Sequence, residues 1–269
     1  MTELIRIMCI GPRRLYEAMA TLSFDYRISP SIDKTIIFTP YDRDEVKQTL
    51  AEFDVEYLNF EILSDEYFND KYDLSRWTHD NWYKQQAFKL CALDYFDNER
   101  FLIQDADLLL TKKYEIFSEG NPVFKAEKLW NNYHEIYADC IGDIIGYHRK
   151  IDISLVNEFM PYLKQDWVEL KTLIEKKYNK SWLNVIPDYR KFDSTKWFSE
   201  YELLGIWKTN RDNYSYNIWM SQPPISSWDD FYNTNWNLYG SVKFHTEPMK
   251  FMNKEQAKQV VKHINDTIN

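Results

Sequence analysis

Glycine is scarce in this chain, with 6 residues in 269. No Walker-type G-x-x-x-x-G-K-[S/T] loop and no G-x-G-x-x-G turn is present, so the usual backbone cradles for phosphate are excluded. Cysteine is scarcer still. Cys9, Cys91 and Cys140 are far apart, odd in number and free of any C-x-x-C spacing, so neither a zinc knuckle nor a disulfide framework is indicated. No apolar run is long enough to cross a bilayer and no signal peptide is visible, which gives the expectation of a cytoplasmic protein without an integral membrane segment. Low-complexity tracts, internal repeats and a Gly/Ser-rich linker are also missing, and one integrated unit is expected. Positive charge is in deficit, with 33 Lys and Arg against 42 Asp and Glu, a net charge of -9. That balance does not favour a dedicated nucleic-acid binder, although the pairs Lys176-Lys177 and Arg190-Lys191 leave local contacts to nucleic acid open.

What the chain does have is aromatic surface: 17% Phe, Trp and Tyr, including 10 Trp and 20 Tyr. Many fill a core; others, partly exposed, can serve as stacking platforms for sugars or bases. Strand and helix patterns alternate through the first half. LIRIMCI (4–10) reads as a buried strand broken by Gly11-Pro12, and residues 14–24 as a helix. TIIFT (35–39) is a second strand, followed by a helix that Asp42 and Glu45 can cap. DVEYLNF (54–60) reads as a third strand, with a polar loop from there to about residue 80. NWYKQQAFKLCALDYF (81–96) carries the apolar face of a helix packed on a sheet. PVFKA (122–126) is a further strand. The alternation predicts an α/β fold with a sheet that is mostly parallel at first. In the second half, residues 153–179 read as helix interrupted by Pro161, 196–208 as a helix weakened by Gly205, and 213–240 as loops and short strands. Residues 253–268 read as a terminal helix capped by Asn253 and Gln256.

One stretch carries the chemistry. In RFLIQDADLLLTKKY (100–114) the apolar run Phe101-Leu102-Ile103 ends in two acids, Asp105 and Asp107. Ligands of open α/β sheets bind beyond the carboxyl ends of the strands. Two carboxylates there are either a solvated turn or a site for a hard cation, Mn²⁺ or Mg²⁺, which prefers oxygen ligands. Such an ion can hold a diphosphate in a chain that has no glycine-rich cradle.

A strand ending in Asp-x-Asp after an N-terminal α/β unit resembles the GT-A class of nucleotide-sugar glycosyltransferases. The chain is similar to a group of bacterial and phage enzymes of that class on three ordered motifs. These are Trp82-Tyr83-Lys84-Gln85-Gln86 with Lys89, then Asp105-Ala106-Asp107, then Ser199-Glu200-Tyr201. Together they span about residues 77 to 206. The resemblance implies a GT-A-like (Rossmann-like) mixed sheet flanked by helices, with a helical and loop-rich C-terminal half. It divides the unit into a donor-binding part, residues 1–127, and an acceptor-side part, residues 128–269.

The implied activity is metal-dependent transfer of a hexosyl or pentosyl group from a nucleotide-diphosphate sugar, a UDP-sugar first, to an acceptor hydroxyl. The acceptor is either a glycan or lipid-linked sugar or a hydroxymethylated base of phage DNA, in a bacterial or phage-infected cytoplasm. A non-catalytic carbohydrate-binding protein on the same fold is the alternative. The donor is expected to meet Gly11, Pro12, Arg13, Thr39 and Tyr41 with its base and ribose, and Gln85, Gln86 and Lys89 with its sugar and diphosphate. Gln85 and Gln86 point about 100° apart on a helix, so at most one faces the donor squarely. Asp107 is expected to bind the metal directly, and Asp105 to meet the ribose or the metal through water. His245, after the β-like run 241–244, is the candidate third ligand. Glu200 is the candidate carboxylate for taking the acceptor's proton, with Asp143, expected on a turn before Ile144-Ile145, as second choice.

Overall fold

The computed structural model describes residues 3–55, 58–77, 81–128, 132–150, 153–156, 158–189, 197–211, 215–218, 222, 225–244 and 248–268. The first half alternates as β1 (Leu4–Cys9), α1 (Leu15–Leu22), β2 (Ile28–Ser29), β3 (Lys34–Thr39), α2 (Arg43–Glu52), β4 (Phe60–Ser64), α3 (Asn81–Tyr95) and β5 (Arg100–Asp105). Short strands follow: β6 (Leu108–Leu110), β7 (Tyr114–Glu115), β8 (Phe117–Ser118) and β9 (Asn121–Lys128). The second half runs α4 (Asn132–Ile145), β10 (Ile153–Ser154), β11 (Phe159–Leu163), α5 (Lys164–Tyr178), α6 (Trp182–Asp188), α7 (Glu200–Arg211), β12 (Ser215–Ile218), α8 (Trp228–Asn233), β13 (Ser241–Lys243) and α9 (Lys254–Thr267).

The expected α/β class with a mainly parallel central sheet is what the chain forms. The sheet order is β11-β5-β1-β3-β4, with β1, β3, β4 and β5 mutually parallel and β11 antiparallel on the β5 edge. The chain steps from β1 outward to β3 and β4, then returns to place β5 on the other side of β1. Strand order therefore reverses between β1 and β5, and the carboxyl ends at such a switch point are where open α/β sheets bind their ligands. Cys9 and Asp105 are partners in the register there. A smaller sheet, β10-β9-β12, and the pair β13-β6 lie outside the main sheet.

Alternation along the strands sorts side chains to two faces. Ile5, Ile7 and Cys9 of β1, with Phe101 and Ile103 of β5, pack into a core shared with α3, α4, α5, α6 and α7. Met8 faces the other way, into a core built with α1, α2 and α9. The parity sends Asp105 to the same face as Phe101 and Ile103, toward α3 and α7. The three cysteines are free and buried.

Four sequence expectations need correction. The strand expected at 54–60 lies later, at β4. Val55 N–H instead donates to Leu50 O and closes off α2, while Asp54 is left-handed at φ 56. The long helix broken at Pro161 is two strands and one helix. Pro161 pairs with Leu102 in an edge strand, where proline is tolerated because one side of the strand needs no ladder donor. Asp143 lies within α4, not on a turn. Gly205 does not weaken the end of α7, which continues to Arg211. A Cβ at residue 205 would lie 2.3 Å from Leu155 Cδ1, so the glycine is where the helix is pressed by a side chain. The terminal helix forms as expected, with Asn253 and Gln256 making a capping box.

Candidate active site at the carboxyl ends of β1, β3 and β5

Asp105 is the last residue of β5, and its backbone N–H donates to Glu158 O at 2.8 Å. Its side chain meets two donors. Lys89 Nζ makes a short charge-assisted bond to Oδ1, and Tyr201 OH donates to the same oxygen at 2.9 Å. Lys89 also donates to Glu200 Oε1 at 2.6 Å and lies 3.2 Å from Tyr201 OH. Lys89 is 3% exposed and Glu200 1%. Burial alone would lower the pKa of Lys89, but the flanking charges of Asp105 and Glu200 outweigh it and raise it, so the ammonium stays charged. Burial pushes the Glu200 carboxyl up, and Lys89 pulls it back. Burial also raises the Tyr201 phenol well above its ordinary range, leaving it a donor.

Helix periodicity explains how α3 builds this cluster. Gln86 and Lys89 are three residues apart and share a face. That face meets the start of α7, where Glu200 N–H donates to Gln86 Oε1 at 3.2 Å. Tyr162 OH donates to Glu200 O at 2.7 Å, and Trp197 N–H to Tyr83 OH at 2.9 Å. Gln85, turned about 100° away, lies against Gly11. A Cβ on Gly11 would stand 2.9 Å from Gln85 Nε2, so the glycine is what lets this amide lie against the end of β1.

The second acid sits on the opposite side of the turn. Asp107 Oδ2 is 3.6 Å from Arg14 Nη1, and its side chain is 20% exposed, against 23% for Asp105. Arg14 also donates to Phe244 O at 3.0 Å, and Phe244 N–H donates to Asp107 O at 2.9 Å. The loops after β1 and β3 are tied to each other, since Arg13 N–H donates to Tyr41 OH at 2.6 Å. Thr39 closes β3 beneath them, with its hydroxyl accepting from Tyr41 N–H at 3.3 Å.

Gly11, Pro12 and Arg13 after β1, Thr39 and Tyr41 at the end of β3, Gln85 against Gly11, and Asp105 and Asp107 at the end of β5 thus lie at the same end of the sheet. Lys89, Gln86 and Glu200 lie behind them, each buried: Lys89 and Glu200 pair with each other, while Gln86 accepts from Glu200 N–H through Oε1 and its Nε2 has no hydrogen-bond partner among the described residues. In this arrangement Lys89 faces carboxylates rather than solvent, and Glu200 faces Lys89. Asp143 stands elsewhere, exposed near the end of α4, with its carbonyl accepting from Lys177 and Tyr178. His245 lies outside the described residues, as does His79. Among the described residues no group of three or more His, Cys, Asp or Glu gathers in a way that could hold a metal ion. No helix there is long and apolar enough to cross a membrane.

Three contributors were not singled out from sequence: Arg14, the role of Tyr201 as donor to Asp105, and Glu158. The Arg13-Arg14 pair after Gly-Pro was the one available signal for Arg14, and it does not say which arginine turns inward.

Residues 20–256 match DUF6492, described as a family of unknown function. No curated protein matches the chain. Among solved structures, mouse xyloside xylosyltransferase 1 in its apo form is similar at 11% identity and a TM-score of 0.48, over 80% of this chain and 84% of that one. Galactosyltransferase LgtC in complex with donor and acceptor sugar analogues is similar at 10% identity and 0.45, over 96% and 95%. Glucosyl-3-phosphoglycerate synthase from Mycobacterium tuberculosis, with Mn²⁺, uridine diphosphate and glucosyl-3-phosphoglycerate, is similar at 9% identity and 0.38, over 68% of each chain.

Proposed function

The chain belongs to DUF6492, a family of unknown function, and we propose that it transfers a sugar from a nucleoside-diphosphate sugar to an acceptor hydroxyl. The observation that carries this reading is the placement of Asp105 and Asp107 at the switch point of the sheet, with Asp105 locked in orientation by Lys89 and Tyr201. Two partly exposed carboxylates are an oxygen donor set that fits Mn²⁺ or Mg²⁺, ions that complete their shells with water and substrate phosphates rather than with an all-protein cage. Asp107 and Asp105 would hold it, and His245 is a further candidate by its place after Phe244. A cation bound there would neutralise the charge that grows on the departing diphosphate.

The chain's own residues supply the rest. Lys89 fixes the Asp105 carboxylate in place. Glu200 holds Lys89 in place, a positioning role; as a base for the acceptor it would have to leave that ion pair. Gln85 presents an amide to the sugar or diphosphate across Gly11. Arg14 brings a positive charge beside Asp107. The loops at Gly11–Arg13 and Thr39–Tyr41 take the base and ribose. On this reading residues 1–127 bind the donor, while residues 128–269 shape the acceptor side and send Glu200 and Tyr201 back to the donor carboxylate. Both acceptor classes, glycan and hydroxymethylated DNA, stand as substrates to be tried.

The test is a panel of nucleotide sugars, UDP-sugars first, offered with each acceptor class with and without Mn²⁺, following release of the nucleoside diphosphate. Metal-dependent release coupled to a labelled acceptor supports the proposal. Full activity in the presence of a chelator would remove the cation from it. Silence across the panel with correctly folded protein would sink it.

A further inference from the structure

Phe251 is 42% exposed, yet its backbone is held in the left-handed region at φ 61. That conformation is a true outlier for a bulky aromatic residue and survives only where the surroundings impose it. The imposing group is Glu17 of α1, fully buried, whose Oε1 accepts the Phe251 N–H at 2.6 Å. A side chain placed at such cost and then left in solvent is not there to fill a core. Six non-glycine residues among those described have positive φ. Three of them lie by the candidate site: Arg13 beside Tyr41, Glu158 beneath Asp105, and Phe251.

Three cations lie around the ring, one of them, Arg14, also paired with Glu17 at 3.4 Å. Arg14 Cζ lies 4.9 Å from its centroid, Arg13 Cζ 5.8 Å and Lys250 Nζ 4.9 Å. Arg14 is shared with Asp107, so the ring and that carboxylate stand on either side of one guanidinium. A ligand that fits has a flat π-face joined to an anionic group a short distance away. A nucleoside diphosphate has that form. A neutral sugar could stack on the ring but would make no use of the positive charge that Arg13 and Lys250 bring beside it.

We propose that Phe251 is a stacking platform for the base of the nucleoside-diphosphate donor, with Arg13 and Lys250 set beside it for the negative charge. This rests on the donor assigned above and adds a residue from the C-terminal segment to the donor site. Stacking accepts any base, because every base has a π-face. The ring therefore contributes affinity, and selection among bases falls to the Gly11–Arg13 and Thr39–Tyr41 loops.

The experiment is calorimetric titration of the full chain, in Mn²⁺, with UDP, ADP, GDP and CDP, and with inorganic pyrophosphate as a ligand lacking a base. Wild type, Phe251→Ala and Phe251→Tyr are compared. Phe251→Ala is expected to weaken the best-bound nucleoside diphosphate by roughly tenfold, the loss of one base-aromatic stack. Pyrophosphate should bind all three proteins alike, and Phe251→Tyr should restore nucleotide affinity. Undiminished nucleotide binding by Phe251→Ala overturns the proposal, and a raised KM for the acceptor alone would then move the ring to the acceptor. Equal losses for nucleotide and pyrophosphate would also overturn it, by showing a collapsed loop. If wild type binds pyrophosphate but no nucleoside diphosphate, the donor assignment itself fails and the platform falls with it.

Discussion

Replacing Glu202 by Gln should change how stability depends on pH, in a direction and by an amount set by its surroundings. Glu202 lies on α7 with 1% exposure. Burial pushes its carboxyl up from 4.5 to about 7, against the opposing pull of the Leu155 N–H and the Arg149 guanidinium. Leu155 N–H donates to Oε2 at 3.1 Å, and Arg149 Nη1 stands 4.0 Å from Oε1. The folded state therefore holds this proton more tightly than the unfolded chain. Stability from this group is present in full below pH 4.5 and is lost as the pH rises to about 7. The lost amount is about 3 kcal/mol, from the distance between the two values. Glutamine keeps an oxygen for Leu155 N–H and never ionises. Urea unfolding of both proteins from pH 4.5 to about 8 should show the variant gaining on wild type by about 3 kcal/mol across that range, at equal m-values. Other titrating groups are common to both proteins and cancel in the difference. A difference that does not change with pH would refute the burial argument for Glu202.

Lys89→Met leaves Glu200 and Asp105 without their shared cation. It should cost about 3–5 kcal/mol in denaturant unfolding, and a loss under about 1 kcal/mol would show that the cluster is not electrostatically coupled. Gly205→Ala puts a Cβ 2.3 Å from Leu155 Cδ1 and 2.9 Å from its Cβ. It should lower the melting temperature through a penalty of ~1–3 kcal/mol, although alanine is the better helix former, and a raised Tm would contradict the contact. Gly11→Ala meets only the flexible end of Gln85 at 2.9 Å. Stability should change by no more than about 0.5 kcal/mol while nucleoside-diphosphate affinity falls, and unchanged affinity would remove Gln85 from the donor site.

Strands β1, β3 and β5 were legible because an apolar run between turn residues has few other readings. The position of the acids was legible for the same reason, since β5 ends where Asp105 interrupts the run. The strand FMPYL was not, because its proline mimics a helix break and its pairing with β5 depends on residues some 60 positions earlier. The meeting of Lys89 with Glu200 is a contact across 111 residues. Motif spacing brought both residues to notice but could not show that they face each other rather than a substrate. Arg14 and Glu158 make contacts with backbone partners, the Arg14 guanidinium donating to Phe244 O and the Glu158 carbonyl accepting from Asp105 N–H. No side-chain pattern announces contacts of that kind.

The site at the carboxyl ends of β1 and β5 is most directly tested by the thermal shift that UDP and Mn²⁺ together give to wild type and to Asp107→Ala. Wild type should gain a saturable rise in Tm that needs both the nucleotide and the metal, because a ligand bound only to the folded state stabilises it. Asp107→Ala, folded by circular dichroism, should gain none. An equal, metal-dependent rise in both proteins would contradict the assignment of Asp107 and, with it, the site.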